Sequence, residues 1–250
     1  MNTDPNVLIE PGVVTILRFN RPLKKNAITA AMYTAFADGL NAAASDDAVR
    51  VALFVGSDGA FTAGNDLADF LQNPPSGENS PVFRLLEALR TFPKPLVAAV
   101  DGVAIGLGTT MLLHCDLVYC SERARFQVPF VNLGLTPEGG SSYLLPRAVG
   151  YQRASSWLFF GEAFSAEEAR AAGMVNAIVP AAELEAHARA RCAALATKPP
   201  AALMAAKELL RGPERDAVQV AMAREGAEFV ARLSSPEAIA AFTRFLAPRV

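Results

Sequence analysis

The chain has 250 residues, of which 52% are apolar and 19% are charged, and its formal net charge is -2. This length and composition provide enough apolar surface for one sizeable core and exclude a chain that is disordered throughout. The small net charge gives no overall basic field, so we expect neither nucleic acid nor a membrane surface as a partner.

Strands and helices alternate among the predicted elements of the first part of the chain. Residues 7–10 and 13–19 flank Pro11-Gly12 and predict a hairpin, and Thr29 is a suitable N-cap for a helix reaching about residue 44. The next predicted elements are strands at 51–55, 96–100 and 117–120 and a helix at 106–114. Repeated strand–loop–helix units favour a mostly parallel sheet covered by helices.

Helices dominate the prediction after Gly150, where alanine becomes frequent. Ser165 and Glu168 have the spacing of a capping box, and residues 174–179 predict a last strand. Apolar residues recur at helical spacing over 184–195, 200–210 and 215–233, and Ser235-Pro236 begins one more predicted helix. Pro199-Pro200 is the predicted boundary between an α/β core, residues 1–198, and a helical region, residues 199–250.

Several common cofactor and metal motifs are incomplete. Residues 59–64 have the glycine spacing of a phosphate-binding loop, but Asn65-Asp66 replaces the Lys and Ser/Thr that bind phosphate and Mg²⁺. Met111 stands where a dinucleotide-binding loop beginning at Gly106 would need its third glycine. His114 and His187 have no metal-ligand spacing, and we expect His114 to be a core residue. The sequence therefore predicts no metal site.

The three cysteines, Cys115, Cys120 and Cys192, form neither a CxxC pair nor a disulfide framework. An odd number of cysteines in a chain of this size indicates buried, reduced thiols. Residues 1–10 have no basic or apolar stretch typical of a secretory signal. We therefore expect a cytoplasmic protein.

Two glycine-containing loops follow predicted strands, where open α/β sheets bind their ligands. The first loop spans residues 61–67, and its Asp66 can cap the next helix. The second spans residues 101–110 and leads into the helix at 106–114. Two such turns side by side could direct two backbone N–H groups at one oxygen atom, which would form an oxyanion hole. A capped turn and close backbone packing are the alternatives.

A third segment, residues 131–142, carries Glu138 between Pro137 and Gly139. An acid in an apolar turn can act as a general base if burial raises its pKa. The alternative is an exposed turn residue, as most glutamates are.

Four further segments occur in an order and spacing that are typical of one protein family: Phe19-Asn20-Arg21-Pro22, Lys25-Asn26-Ala27, residues 94–102, and Cys115-Asp116. With the loops above, they resemble the crotonase (enoyl-CoA hydratase/isomerase) superfamily over residues 7–249. The resemblance implies an α/β fold, a crotonase-like spiral of ββα units with a helical C-terminal region that builds homotrimers or homohexamers. Phe229, Phe242 and Phe245 of that region are expected to be covered by a neighbouring subunit or to lie over the acyl site.

The resemblance also implies a ligand and a chemistry. The family binds acyl-CoA thioesters, and the backbone amides of Asn65 and Leu107 would hold the thioester oxygen and stabilise an enolate. No separate cofactor is implied, because coenzyme A is part of the substrate, and Lys24 or Lys25 would contact its phosphates. The residues expected to bind the substrate are Lys24, Lys25, Ala27, Ala63, Gly64, Asp66, Leu67, Gly106, Phe130 and Leu133.

Two differences from the hydratase pattern indicate which reaction of the family to expect. Crotonase-type hydratases use two glutamates, which would fall at Thr110 and Phe130, and neither residue is acidic. Residues 133–140 are instead similar to the peroxisomal-type Δ3,Δ2-enoyl-CoA isomerases, whose catalytic glutamate matches Glu138. One carboxylate can take a proton from C2 and return it at C4, so we predict an isomerase. An enoyl-CoA hydratase, another crotonase chemistry and a non-catalytic acyl-CoA binder are the alternatives.

Overall fold

The computed structural model describes residues 4–75, 77 and 79–246. Its strands are β1 (Val7–Glu10), β2 (Val14–Phe19), β3 (Val51–Val55), β4 (Leu96–Val100), β5 (Val103–Ile105), β6 (Leu117–Ser121), β7 (Arg125–Gln127), β8 (Phe164–Ser165) and β9 (Ala177–Val179). Six of them form a sheet in the order β1-β2-β3-β4-β6-β9, in which only the β1–β2 pair is antiparallel among the described strands. Strands β5, β7 and β8 form a second, smaller sheet.

Helices cover the sheets and make up most of the chain after Gly150. They are α1 (Ala30–Ser45), α2 (Leu67–Gln72), α3 (Pro81–Thr91), α4 (Leu107–Thr110), α5 (Ser141–Val149), α6 (Tyr151–Phe160), α7 (Ala166–Ala171), α8 (Leu184–Ala196), α9 (Pro200–Arg211), α10 (Arg215–Leu233) and α11 (Pro236–Leu246). The predicted α/β class with a helical C-terminal region is thus confirmed.

Both faces of the larger sheet are buried, because side chains alternate along each strand. In β3, Val51, Leu53 and Val55 pack with α8 on one face, whereas Ala52 and Phe54 pack in the main core on the other. The main core also contains the buried faces of α1 and α3. A sheet buried on both sides is a rigid base for the loops that leave its strands.

Capping residues and turn residues in the sequence correctly predicted where several elements begin. The hairpin forms between β1 and β2, and the Thr29 hydroxyl accepts a hydrogen bond from the Met32 amide at 3.3 Å to begin α1. Ser165 and Glu168 make the predicted capping box at the start of α7. Helix α9 begins at Pro200, while the division into regions 1–198 and 199–250 stays a prediction.

The strand at 174–179, the helix at 106–114 and helix α3 are among the elements that differ from the prediction. The strand at 174–179 is shortened to Ala177–Val179, because the Met174 amide bonds to Ala169 O and closes the end of α7. The helix at 106–114 is α only over Leu107–Thr110 and continues as a 3₁₀ turn over Met111–His114. Helix α3 was not predicted, although proline at its first position and its buried leucines form an amphipathic pattern.

Candidate active site

The two glycine loops lie side by side, as predicted. Thr62 pairs with Ala104 in an isolated parallel bridge that joins the first loop to β5. Gly64 has a φ of +79°, and a Cβ atom there would lie 2.5 Å from Ile105 O, so only glycine allows this approach without a shift of the backbone. The second loop turns at Gly106, whose φ is +56°, and α4 begins at the next residue.

The segment before α1 is hydrogen-bonded to the first loop. The Ala63 amide donates to Lys25 O at 2.9 Å, and the Ile28 amide donates to Gly64 O at 2.8 Å. These bonds place Lys25 and Ala27 next to the loop, whereas the side chains of Lys24 and Lys25 are exposed. The structure therefore brings the predicted lysines to the edge of the site, and their contact with phosphates stays a prediction.

The amides of Asn65 and Leu107 are both available. The bridge between Ile28 and Asn65 uses the Gly64 carbonyl and the Asp66 amide, so the Asn65 N–H points to the opposite side. Leu107 is the first residue of α4, where the N–H has no partner within the helix. Within the described part of the chain, neither N–H has a hydrogen-bond acceptor. The Tyr33 hydroxyl donates a short hydrogen bond to Asn65 Oδ1 and fixes that side chain.

Asp66 caps α2, as predicted. Its Oδ1 accepts hydrogen bonds from the Ala68 and Asp69 amides at 3.1 and 3.2 Å, and its Oδ2 pairs with Arg21 Nη1 at 2.6 Å. The Arg21 hydrogen bond and the backbone donors lower the pKa of Asp66 despite the opposing effect of burial, which is the largest single contribution. Asp66 thus stabilises the loop as a carboxylate.

A cavity of about 650 Å³ opens in front of these two amides. Its wall contains eight of the predicted site residues: Ala63, Gly64, Asn65, Leu67, Gly106, Leu107, Phe130 and Leu133. The C-terminal helices close it with Phe229, Ala241, Arg244 and Phe245. Phe229 and Phe242 are buried, whereas Phe245 lines the cavity with 61% of its surface exposed. The cavity is therefore built by the α/β core and the C-terminal helices together.

Glu138 is buried and is not part of that wall. The Thr110 hydroxyl donates to its Oε1 at 2.5 Å and also lies 3.4 Å from Leu107 O, so Thr110 stands between the carboxyl and the second loop. The other oxygen, Oε2, is buried without a hydrogen-bond partner among the described residues. The contact of Glu138 with a substrate held by the two amides therefore stays a prediction. The Gly139-Gly140 turn packs the Glu138 carboxyl against Thr110.

Burial raises the pKa of Glu138 to about 8. The Thr110 hydrogen bond opposes this rise, and the negative charge of Glu225 adds to it. Burial also raises the pKa of Tyr33 well above its usual range, with a contribution from the Glu138 charge. A carboxyl with a pKa near neutrality can both accept and return a proton.

Two residues that the sequence did not reveal hold the turn that carries Glu138. His114, which is buried as expected, donates from Nε2 to Gly139 O at 2.7 Å, and burial lowers its pKa to about 4, so the ring is neutral. Glu225 of α10 accepts hydrogen bonds from the Gly140 and Ser142 amides at 2.6 and 2.8 Å. No local pattern marks Glu225, since it lies in a helix with many other charged residues.

Three negative findings apply to the described residues. They contain no group of three or more His, Cys, Asp or Glu side chains that could bind a metal ion. No described helix combines the length and apolar character needed to cross a membrane. The three cysteines are buried and unpaired, and burial raises the pKa of each thiol to about 12.

Two known enzymes are similar to this chain over most of its length. Enoyl-CoA delta isomerase 2 of Homo sapiens is 37% identical over an alignment of 247 positions, which covers 96% of this chain and 62% of the human protein, so the chain spans about three fifths of that relative. The 2,3-dehydroadipyl-CoA hydratase of Escherichia coli (strain K12) is 33% identical over 94% of this chain and 93% of its own length. The two relatives carry the names of different reactions.

The solved structure of Pseudomonas aeruginosa OdaA is 45% identical, has a TM-score of 0.95 and covers 98% of this chain and 100% of that one. It and the other solved relatives confirm the predicted crotonase-like fold. The family model described as Enoyl-CoA hydratase/isomerase matches residues 9–247. The chain therefore belongs to the enoyl-CoA hydratase/isomerase family.

Proposed function

We propose that this protein moves a double bond from C3 to C2 of enoyl-CoA thioesters. The observation that carries the proposal is the buried carboxyl of Glu138, which has one oxygen held by Thr110, one oxygen without a hydrogen-bond partner among the described residues, and a pKa of about 8. The two positions where a hydratase would have its glutamates are Thr110 and Phe130. A proton shuttle needs one such group, whereas hydration by two glutamates needs two.

The reaction uses the two free amides and the one carboxyl. The N–H groups of Asn65 and Leu107 bind the thioester carbonyl oxygen. Oε2 of Glu138 removes a proton from C2, and the negative charge moves to the thioester carbonyl oxygen to give an enolate. The conjugated enolate then takes the same proton from Glu138 at C4. The carbonyl forms again, and the double bond of the product lies between C2 and C3. The apolar wall, including Phe130 and Leu133, excludes water from the enolate.

The proposal requires C2 of the bound substrate to reach Oε2 of Glu138, which is buried and does not line the cavity. Lys24 and Lys25 would bind the phosphates of coenzyme A at the exposed edge of the site. No further cofactor is needed, and the cytoplasm is the proposed location.

Hydration is the second candidate, because the Escherichia coli relative named a hydratase covers almost the whole of this chain. In that case Glu138 would be the sole acid and base. A chain that binds acyl-CoA without turnover is the third candidate, and the sealed position of Glu138 favours it.

A panel of acyl-CoA substrates separates these candidates. We expect isomerisation of 3-enoyl-CoA to be faster than hydration of 2-enoyl-CoA. We also expect kcat/KM to increase with pH in a transition whose midpoint is near the pKa of Glu138, about 8. Glu138→Gln should lower the isomerase kcat by roughly 10²–10⁴ and leave the Kd of a saturated acyl-CoA nearly unchanged. Faster hydration than isomerisation, or an active Glu138→Gln variant, would contradict the proposal.

A further inference from the structure

The turn that carries Glu138 is fixed by a side chain from a distant helix. We propose that Glu225 of α10 is a positioning residue, which holds the catalytic carboxyl in place by binding the backbone of its turn. The inference rests on the proposed function of Glu138 and adds a residue from the C-terminal helices that does not touch the substrate.

The contact between Glu225 and the turn is bidentate. Its Oε2 accepts from the Gly140 amide at 2.6 Å, and its Oε1 accepts from the Ser142 amide at 2.8 Å. Both donors lie at the N-terminal end of α5, where backbone N–H groups have no partner within the helix. Glu225 is only 7% exposed, so these charge-assisted hydrogen bonds form away from water.

The turn needs such a contact because two successive residues have positive φ. Gly139 and Gly140 have φ values of +69° and +75°, and glycine gains the most conformational freedom when a restraint is removed. Helix α10 lies directly against this turn, since a Cβ atom at Gly140 would be 3.2 and 3.3 Å from side-chain atoms of Val218 and Met222. Glu225 therefore restrains a turn whose two glycines have few conformational restrictions of their own.

Glu225 also sets the electrostatic environment of Glu138. The Thr110 hydroxyl and the charge of Glu225 act on the titration of Glu138, Glu138 itself acts on the buried Tyr33, and the neutral His114 ring bonds to Gly139 O of the same turn. The charge of Glu225 raises the pKa of Glu138, while burial raises the pKa of Glu225 itself against the hydrogen bonds from Ser142 and Gly140. Removing the Glu225 charge should therefore make Glu138 ionise at lower pH.

The test compares Glu225→Gln and Glu225→Asp with Glu228→Gln, a control at an exposed glutamate of the same helix. Glutamine keeps one acceptor but turns an N–H₂ group toward the second backbone donor and removes the charge. Aspartate keeps the charge but is one methylene too short to reach both donors. The kcat is measured on the high-pH plateau with whichever acyl-CoA the wild type converts, together with KM.

A second readout follows the titration of Glu138 without any turnover. Carbon-13 NMR of protein labelled at the glutamate side-chain carboxyl reports the pKa, and the resonance that Glu138→Gln removes identifies the signal. This measurement keeps the inference separate from the proposed function, because it applies even to a wild type that isomerises nothing. Circular dichroism and thermal unfolding check that each variant is folded.

We expect Glu225→Gln to lower kcat by about 10–100-fold, the usual cost of misplacing a reacting group, with KM changed less than about threefold. The Glu138 titration should move to lower pH in Glu225→Gln and stay at the wild-type midpoint in Glu225→Asp, which should still lose kcat. Glu228→Gln should match the wild type in every readout. Unchanged kcat in Glu225→Gln, or a loss of thermal stability with no shift of the Glu138 titration, would overturn the inference. If Glu225→Gln does not fold, a wild-type kcat in Glu225→Asp overturns it.

Discussion

The carboxyl of Glu138 depends on one hydroxyl for its only hydrogen bond among the described residues. Thr110 donates to Oε1, and when Glu138 is protonated the same hydroxyl can accept from it and turn its own proton toward Leu107 O, 3.4 Å away. Thr110 can therefore accommodate both protonation states of Glu138. A group that shuttles a proton has to be stable in both.

Thr110→Val should raise the pKa of Glu138 above its wild-type value of about 8, because the hydrogen bond from Thr110 stabilises the ionised form. The acidic limb of the kcat/KM profile should move to higher pH, and activity at pH 7 should fall. Thr136→Val is the control, since the buried Thr136 hydroxyl has no hydrogen-bond partner among the described residues and should be replaced at no cost. An acidic limb that is the same in Thr110→Val and the wild type would contradict this role.

The sequence identified the residues of the site that lie in short motifs and missed those that act through space. Asn65, Leu107 and Glu138 lie in glycine-containing turns that match the motifs of the family, so the resemblance predicted them. His114 and Glu225 act on the Glu138 turn from 25 and 85 positions away in the chain, and only the folded structure brings them together. Nothing in the sequence showed that Glu138 would be buried and absent from the residues that line the cavity.

Helix α11 covers one side of the cavity and crosses the chain at Gly134. A Cβ atom at Gly134 would lie 2.7 Å from the Ala238 backbone nitrogen, and the φ of Gly134 is +71°. Because the contact is with backbone and not with a flexible side chain, any larger residue has to displace the start of α11.

Gly134→Ala should therefore lower the free energy of unfolding by about 1–3 kcal/mol, the usual cost of overpacking. It should also weaken binding of a medium-chain acyl-CoA several-fold, since α11 carries Ala241 and Phe245 of the cavity wall. Urea unfolding and calorimetric titration measure the two effects. Gly77→Ala is the matched control, because a Cβ atom there would meet nothing within 4 Å. Equal acyl-CoA affinity in both variants would show that α11 does not shape the site.

Elements with strong local signals were predicted well, and elements defined by tertiary contacts were not. The β1–β2 hairpin and the capped starts of α1 and α7 follow from turn and capping chemistry within a few residues. The smaller sheet consists of strands of two or three residues that are too short to show a period. Its existence depends on pairing between residues far apart in the sequence.

The stability of the whole protein should depend on pH through Glu138. Its pKa is about 8 in the folded chain and near 4.5 without burial, so between these values the folded state keeps a proton that the unfolded state has released. The free energy of unfolding should therefore decrease as pH rises through this window.

Glu138→Gln removes this dependence. The stability of the variant relative to the wild type should increase by about 1.4 kcal/mol per pH unit between pH 5 and 8, as expected for one proton. Urea denaturation at pH 5, 7 and 9 measures the difference. Glu228→Gln should follow the wild type, and a constant difference between Glu138→Gln and the wild type across these pH values would disprove the elevated pKa.

The outer face of α9 points to assembly into a larger particle. No residue of this helix is buried in the single chain, and Leu209 and Leu210 are each 79% exposed. We expect a homotrimer or homohexamer in which this face packs on a neighbour.

Light scattering at micromolar concentration should give a mass three or six times that of one chain. Replacing Leu209 and Leu210 together by Glu should yield monomers, because two charges would be buried at the contact. Leu23→Glu, at a leucine that is 97% exposed elsewhere on the chain, should leave the mass unchanged. A monomeric wild type would exclude the assembly.

The shared construction of the cavity also has a consequence for protein synthesis. Its floor, with the Asn65 and Leu107 amides, leaves the ribosome well before α10 and α11, which supply the cavity roof and Glu225. A nascent chain that stops before α10 lacks Phe229, Ala241 and Phe245 of the cavity wall and the Glu225 contact to the Glu138 turn. The candidate site therefore becomes complete only after α10 and α11 have been translated.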